Sequence, residues 1–197
     1  MVSILKTDKI QASHGSTIEI PTGHSVNAVD TAGIYAPGQI IQIVRTTPAT
    51  TSSVTLSSSP PNMIEFSSDN RTTITPKFAT SLLRLNFSSM ISGQNSSAIC
   101  SMKFYDQTNN ANVGFSALGT GSSRTFCNAS FRTKDHDAND RVHLNMTAYQ
   151  AASNTNERTY SIYGMIESGT MYMNMTTTDN AGCSYCPPVF TIEEIAQ

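Results

Sequence analysis

At 197 residues, a formal net charge of -2 and only 13% charged side chains, the chain has no basic field of the kind that holds nucleic acid or an anionic membrane. The length suits one sizeable core, not two. Ser and Thr supply about a quarter of the residues and Trp is absent, yet β-branched and aromatic residues recur in short blocks throughout, which disordered segments lack; an all-β protein with polar outer faces is expected.

Lys6, Asp8 and Lys9 fall where a secretory signal needs an unbroken apolar core. No run approaches the roughly 20 apolar residues of a membrane helix. Synthesis in the cytoplasm without a signal peptide, and no membrane insertion, are therefore expected, with release by a route such as cell lysis. Residues 1–37 contain "IQASHGSTIEIPTGHSV", in which Ile18, Ile20 and Val26 alternate with polar residues, and short apolar pairs broken by Gly15, Pro21, Gly23, Gly33 and Pro37. Such a segment is too sparse to build a private core. It buries apolar surface against copies of itself, as an intertwined homotrimer, or against a larger assembly; a flexible tail is the bland alternative.

The remainder, 38–197, reads as a β-sandwich head domain. In "GQIIQIVRT" Ile40, Gln42 and Val44 alternate with Ile41, Ile43 and Arg45, the pattern of a strand covered on both sides. "SLLRLNFSS" sends Leu83, Leu85 and Phe87 one way and Leu82, Arg84 and Asn86 the other. "RVHLNMTAY" opposes Val142, Leu144, Met146 and Ala148 to His143, Asn145 and Thr147, and "TMYMNMT" aligns Met171, Met173 and Met175. Between these blocks 57–62, 106–112, 119–123, 134–140, 151–157 and 177–188 read as loops, a spacing typical of sandwiches and barrels. The closing "FTIEEIAQ" reads as a final strand.

Chemistry is sparse. "CSYC", Cys183 to Cys186, has redox or zinc spacing. A redox site needs a helix N-terminus to lower the thiol pKa, whereas Pro187 and Pro188 follow; zinc needs two more ligands, and Cys100 and Cys127 lie in apparent strands without matching spacing. Free thiols or a local disulfide are the favoured readings. "DHDAND" (135–140) alternates oxygens as a calcium loop does but lacks its Gly and bidentate Glu, with Asp140 and Met146 in their places, so an acidic turn is expected. His14, His24, His136 and His143 are scattered, no G-x-S-x-G elbow occurs, and no carboxylate pair stands out. No enzyme activity, metal or cofactor is expected. The N-x-S/T triplets at Asn70, Asn86, Asn95, Asn128, Asn145 and Asn174 read as chance in so Ser/Thr-rich a chain.

Three stretches, "LKTDKIQASHGSTIEIPTGHSVNAVDTAGIYAPGQIIQIV", "TITPKFATSLLRL" and "FTIEEIAQ", make the chain resemble short fibre-like virion structural proteins of tailed, particularly marine, phages. The resemblance implies a thin N-terminal stretch leading into a compact β-domain, jelly-roll-like or another sandwich, with "ITPK" opening one of its strands. In a trimer, Ile18, Ile20, Val26, Val29 and Ile34 of three chains face one axis, and Gly23 and Gly33 permit the turns. The product belongs on the virion surface, attached to tail or capsid proteins. Two functions follow. As a tail-associated fibre or spike, it contacts a host-surface glycan or protein with avidity from three weak sites, and Tyr105, Tyr149 and Tyr185, at or near loops, are candidate contacts. As a capsid decoration, cement or head-fibre protein, it docks through its N-terminal segment and needs no receptor.

Overall fold

The computed structural model describes residues 35–47, 52–55, 63–93, 98–114, 127–132, 141–173 and 187–197. The chain divides into two units, Met1–Ile34 and Tyr35–Gln197, and every described residue lies in the second. Ile18, Ile20, Val26, Val29 and Ile34, and the loop residues Cys183, Tyr185 and Cys186, lie outside the described residues, as do His14, His24 and the 134–140 turn.

In chain order the described strands are β1 (Ile40–Thr46), β2 (Ser52–Thr55), β3 (Ile64–Glu65), β4 (Thr72–Ile74), β5 (Leu82–Gly93), β6 (Ile99–Asp106), β7 (Ala111–Asn112), β8 (Ala129–Arg132), β9 (Arg141–Ala151), β10 (Arg158–Ile166), β11 (Thr170–Met173) and β12 (Val189–Ile195), with a single 3-10 turn at Ser68–Asn70. The fold is all-β, and all pairings are antiparallel. The first sheet runs β1-β12-β5-β11-β2, with β9 on β5; the second runs β3-β10-β6-β7, with β4 on β10 and β8 on β6.

Period-two patterning produces this arrangement. Along β5, Leu83, Leu85, Phe87 and Ile91 are buried while Leu82, Arg84, Asn86, Ser88 and Met90 are half-exposed. Leu144, Met146 and Ala148 of β9 and Phe190 and Ile192 of β12 join them; from the second sheet come Cys100, Met102 and Phe104 of β6 and Tyr160, Ile162 and Ile166 of β10, all in one core. Phe190 ties the layers together. Its ring meets Phe87 edge-on at 6.4 Å within the first sheet and Phe104 of the second at 5.5 Å. Gly164 of β10 has no room for a side chain, because a Cβ there would lie 2.2 Å from Cε2 of Phe66.

Three expectations need correction. β1 is not covered on both faces: Ile40 is exposed and Ile43 is 58% exposed. Among the described strands it lies at the sheet edge and pairs with β12, and a bulge between Ile40 and Gln42 interrupts the alternation. "ITPK" does not open a strand; Ile74 ends β4, and residues 75–81 turn into β5. The turn is held from afar. Glu194 of β12, fully buried, accepts the backbone N–H groups of Lys77 at 2.9 Å and Phe78 at 3.0 Å and the Gln42 side-chain amide at 2.6 Å. Burial alone pushes this carboxyl upward, but the Lys77, Phe78 and Gln42 donors outweigh it and hold the pKa below the ordinary glutamate value. Finally, the loop expected at 106–112 is a turn of 107–110 only, because β6 reaches Asp106 and β7 begins at Ala111. Asp106 closes it by accepting the Asn109 N–H at 2.9 Å and side-chain amide at 2.8 Å.

Cys100 lies in β6 as expected, but Cys127 precedes β8 instead of lying in a strand; both are free thiols. Burial pushes the Cys100 thiol up to about 12, so it is a core hydrophobe without nucleophilic character.

Candidate functional site

The outer face of the first sheet carries the candidate site. Side chains that alternate away from the core on β9, β5 and β12 fall into register as a grid. Tyr149, Arg84 and Glu193 form one row, Thr147, Asn86 and Thr191 the next, and Asn145, Ser88 and Val189 the third. A shallow groove is lined by the second and third rows together with Phe87 and Met146 between them.

The groove is uncharged and rich in paired donors and acceptors. Thr147 donates its hydroxyl to Asn86 Oδ1 at 2.9 Å, which leaves the Asn86 amide N–H2 and the Thr147 lone pairs facing outward. His143, one row further along β9, is bracketed: Asn145 Nδ2 lies 3.3 Å from its Nδ1 and Ser88 Oγ 3.1 Å from its Nε2. Both ring nitrogens are thus engaged by groups of the same outer face. The charged row above is self-contained, since Arg84 is ion-paired with Glu193. Next to it Tyr149 is 51% exposed and presents a broad apolar ring.

Such a surface suits a neutral, hydroxyl-rich ligand. Amides and hydroxyls exchange hydrogen bonds with water at little net cost, and an exposed tyrosine adds contact area with few rotatable bonds. Among the described residues no three His, Cys, Asp or Glu side chains converge as a metal site would require.

Of the candidate tyrosines, Tyr105 and Tyr149 do not share one site. Tyr149 lies in β9, on a strand and not at a loop tip, beside the groove on the first sheet. Tyr105 lies in β6 on the outer face of the second sheet, stacked on Tyr163 with ring centroids 4.4 Å apart. The groove residues Asn86, Ser88, Asn145, Thr147 and Thr191 were not among the candidate contacts, although their outward alternation was visible in the sequence. Their signal is a repeated N-x-S/T triplet on two adjacent strands, a pattern that reads as chance until the strands are paired.

No protein-family model matches the chain, and no curated protein matches it.

Proposed function

We propose that this chain is a virion structural protein of a tailed phage, a short homotrimeric fibre or spike on the virion surface whose β-domain contacts a host-surface glycan. The receptor side of this reading is carried by one observation, the uncharged grid of Asn86, Thr147, Ser88, Asn145 and Thr191 beside the exposed ring of Tyr149. The virion side is supported by the resemblance of the "IEIPTGH", "APGQ" and "ITPK" stretches to short phage fibres. Jelly-roll-like connectivity, and an axis lined by Ile18, Ile20, Val26, Val29 and Ile34, belong to the same reading. Three shallow grooves on one trimer convert weak single contacts into useful avidity.

The test is competition. Purified full-length chain added to host cells ahead of phage is expected to reduce adsorption, and the Asn145→Ala, Thr147→Ala double variant to compete poorly while keeping the wild-type circular dichroism. Absence of competition at saturating protein would overturn the receptor reading in favour of capsid decoration, and a monomeric mass by light scattering would overturn the trimer.

A further inference from the structure

The second sheet carries an unrelated surface on its outer face. Lys103 of β6 lies opposite Tyr163 of β10, and Tyr105, two residues along β6, lies opposite Ser161. The Tyr105 and Tyr163 rings stack with centroids 4.4 Å apart and planes 34° apart. The Lys103 ammonium sits 5.3 Å from the Tyr105 centroid and 5.7 Å from that of Tyr163. We propose that this platform binds a carboxylate-bearing sugar residue of an acidic glycan.

Among the described residues the cation has no ion-pair partner: neither Arg71–Glu65 nor Arg84–Glu193 includes Lys103. The neighbouring carboxylate, Glu65, sits across from Tyr163 but is already held through both oxygens by Arg71, each at 2.8 Å. Aromatic faces attract an ammonium without neutralising it. Lys103 is half-buried, and that burial lowers its pKa, the mark of a cation short of compensation. A ligand carboxylate supplies the missing charge.

The surroundings favour a sugar acid over a bare anion. Gln107, in the β6–β7 turn, donates its side-chain amide to Ser161 Oγ at 2.7 Å and to Tyr163 Oη at 3.2 Å. This ties the turn to the Tyr163 hydroxyl, and the amide keeps an oxygen whose chemistry is that of an acceptor for a ligand hydroxyl. The tyrosine rings offer C–H contact area beside the charge. A simple carboxylate uses the lysine alone; a uronic acid uses the lysine, the rings and the amide together. The site lies on the other sheet from the uncharged groove and stands or falls independently of it.

The experiment is saturation-transfer NMR on the full-length chain with methyl glucuronide, methyl glucoside and sodium acetate as probes. Methyl glucuronide is expected to bind, with methyl glucoside and acetate each weaker by about tenfold or more, the scale of one lost charge-assisted contact. Lys103→Gln should weaken the glucuronide by a similar factor, Lys103→Arg should retain most of it, and Ile43→Thr, at an exposed edge position of the other sheet, should leave it unchanged. Circular dichroism of each variant confirms folding. Equal binding of glucuronide and glucoside, equal binding of acetate, no glucuronide binding, or an unaffected Lys103→Gln variant would each overturn the proposal.

Discussion

Asn86 lies directly opposite Thr147 in the β5–β9 pair, and its Oδ1 accepts the Thr147 hydroxyl at 2.9 Å. The next facing pair on the same side of the sheet is Ser88 with Asn145. Two antiparallel N-x-S/T triplets thus close into a square of amides and hydroxyls while Phe87 and Met146 between them point into the core. In a double-mutant cycle, Asn86→Ala and Thr147→Ala should couple by about 0.2–1 kcal/mol, as cross-strand polar pairs do. Urea unfolding reads this; additive single effects would show the square to be decorative.

Glu194 gives the fold a pH dependence with a definite sign. Its pKa is depressed on folding below the ordinary 4.5, so its contribution is complete above the unfolded value and is lost as pH falls through the folded one. Glu194→Gln should cost about 2–4 kcal/mol at neutral pH, because the Lys77 and Phe78 donors lose an ionised acceptor in a buried place. Thermal unfolding between neutral pH and pH 3 checks it. The wild type should lose stability on acidification and the variant should lose less.

Close approach at Gly164 predicts a specific rescue. A Cβ would lie 2.2 Å from the Phe66 ring and 2.4 Å from Cε of Met171, so Gly164→Ala should destabilise by about 1–3 kcal/mol through overpacking. Phe66→Leu in the same chain should recover part of that loss. A neutral Gly164→Ala by chemical denaturation would mean the two side chains yield without strain.

Phe190 is the costliest single truncation to expect. It contacts Phe87 in its own sheet and Phe104 in the other, so Phe190→Ala should cost about 3–5 kcal/mol. Ile43→Thr, at a 58% exposed edge position, should stay within about 0.5 kcal/mol. Equal effects of the two substitutions in denaturant titrations would contradict the layering.

The sequence showed the inward and outward sides of β5 and β9 because each strand has one wet face, and Leu83, Leu85 and Phe87 alternate cleanly with Arg84 and Asn86. It misled at β1, where Ile40, Ile41, Ile43 and Val44 are apolar whichever way they point; only the bulge and the edge position decide which are buried. "ITPK" was opaque for a different reason. The carboxylate that shapes its turn comes from Glu194, far along the chain. The groove and the Lys103 platform were illegible alike, because each exists only in the register between strands that hydrophobic periodicity does not specify. Tyr105 and Tyr149 were attractive as contacts, but facing opposite ways they belong to different surfaces.

The placement of β12 between β1 and β5 sets a schedule for the newborn chain. Gln42 and Glu194 touch although 152 residues separate them, and the β5 face that Phe190 and Ile192 help to cover is synthesised long before they are. At ordinary translation speeds the interval is about 5–20 seconds, during which Leu83, Leu85 and Phe87 have only β-strands of incomplete pairing to hide them. Such non-local pairing is the kind that folds slowly, and the first sheet is complete only once β12 can insert between β1 and β5.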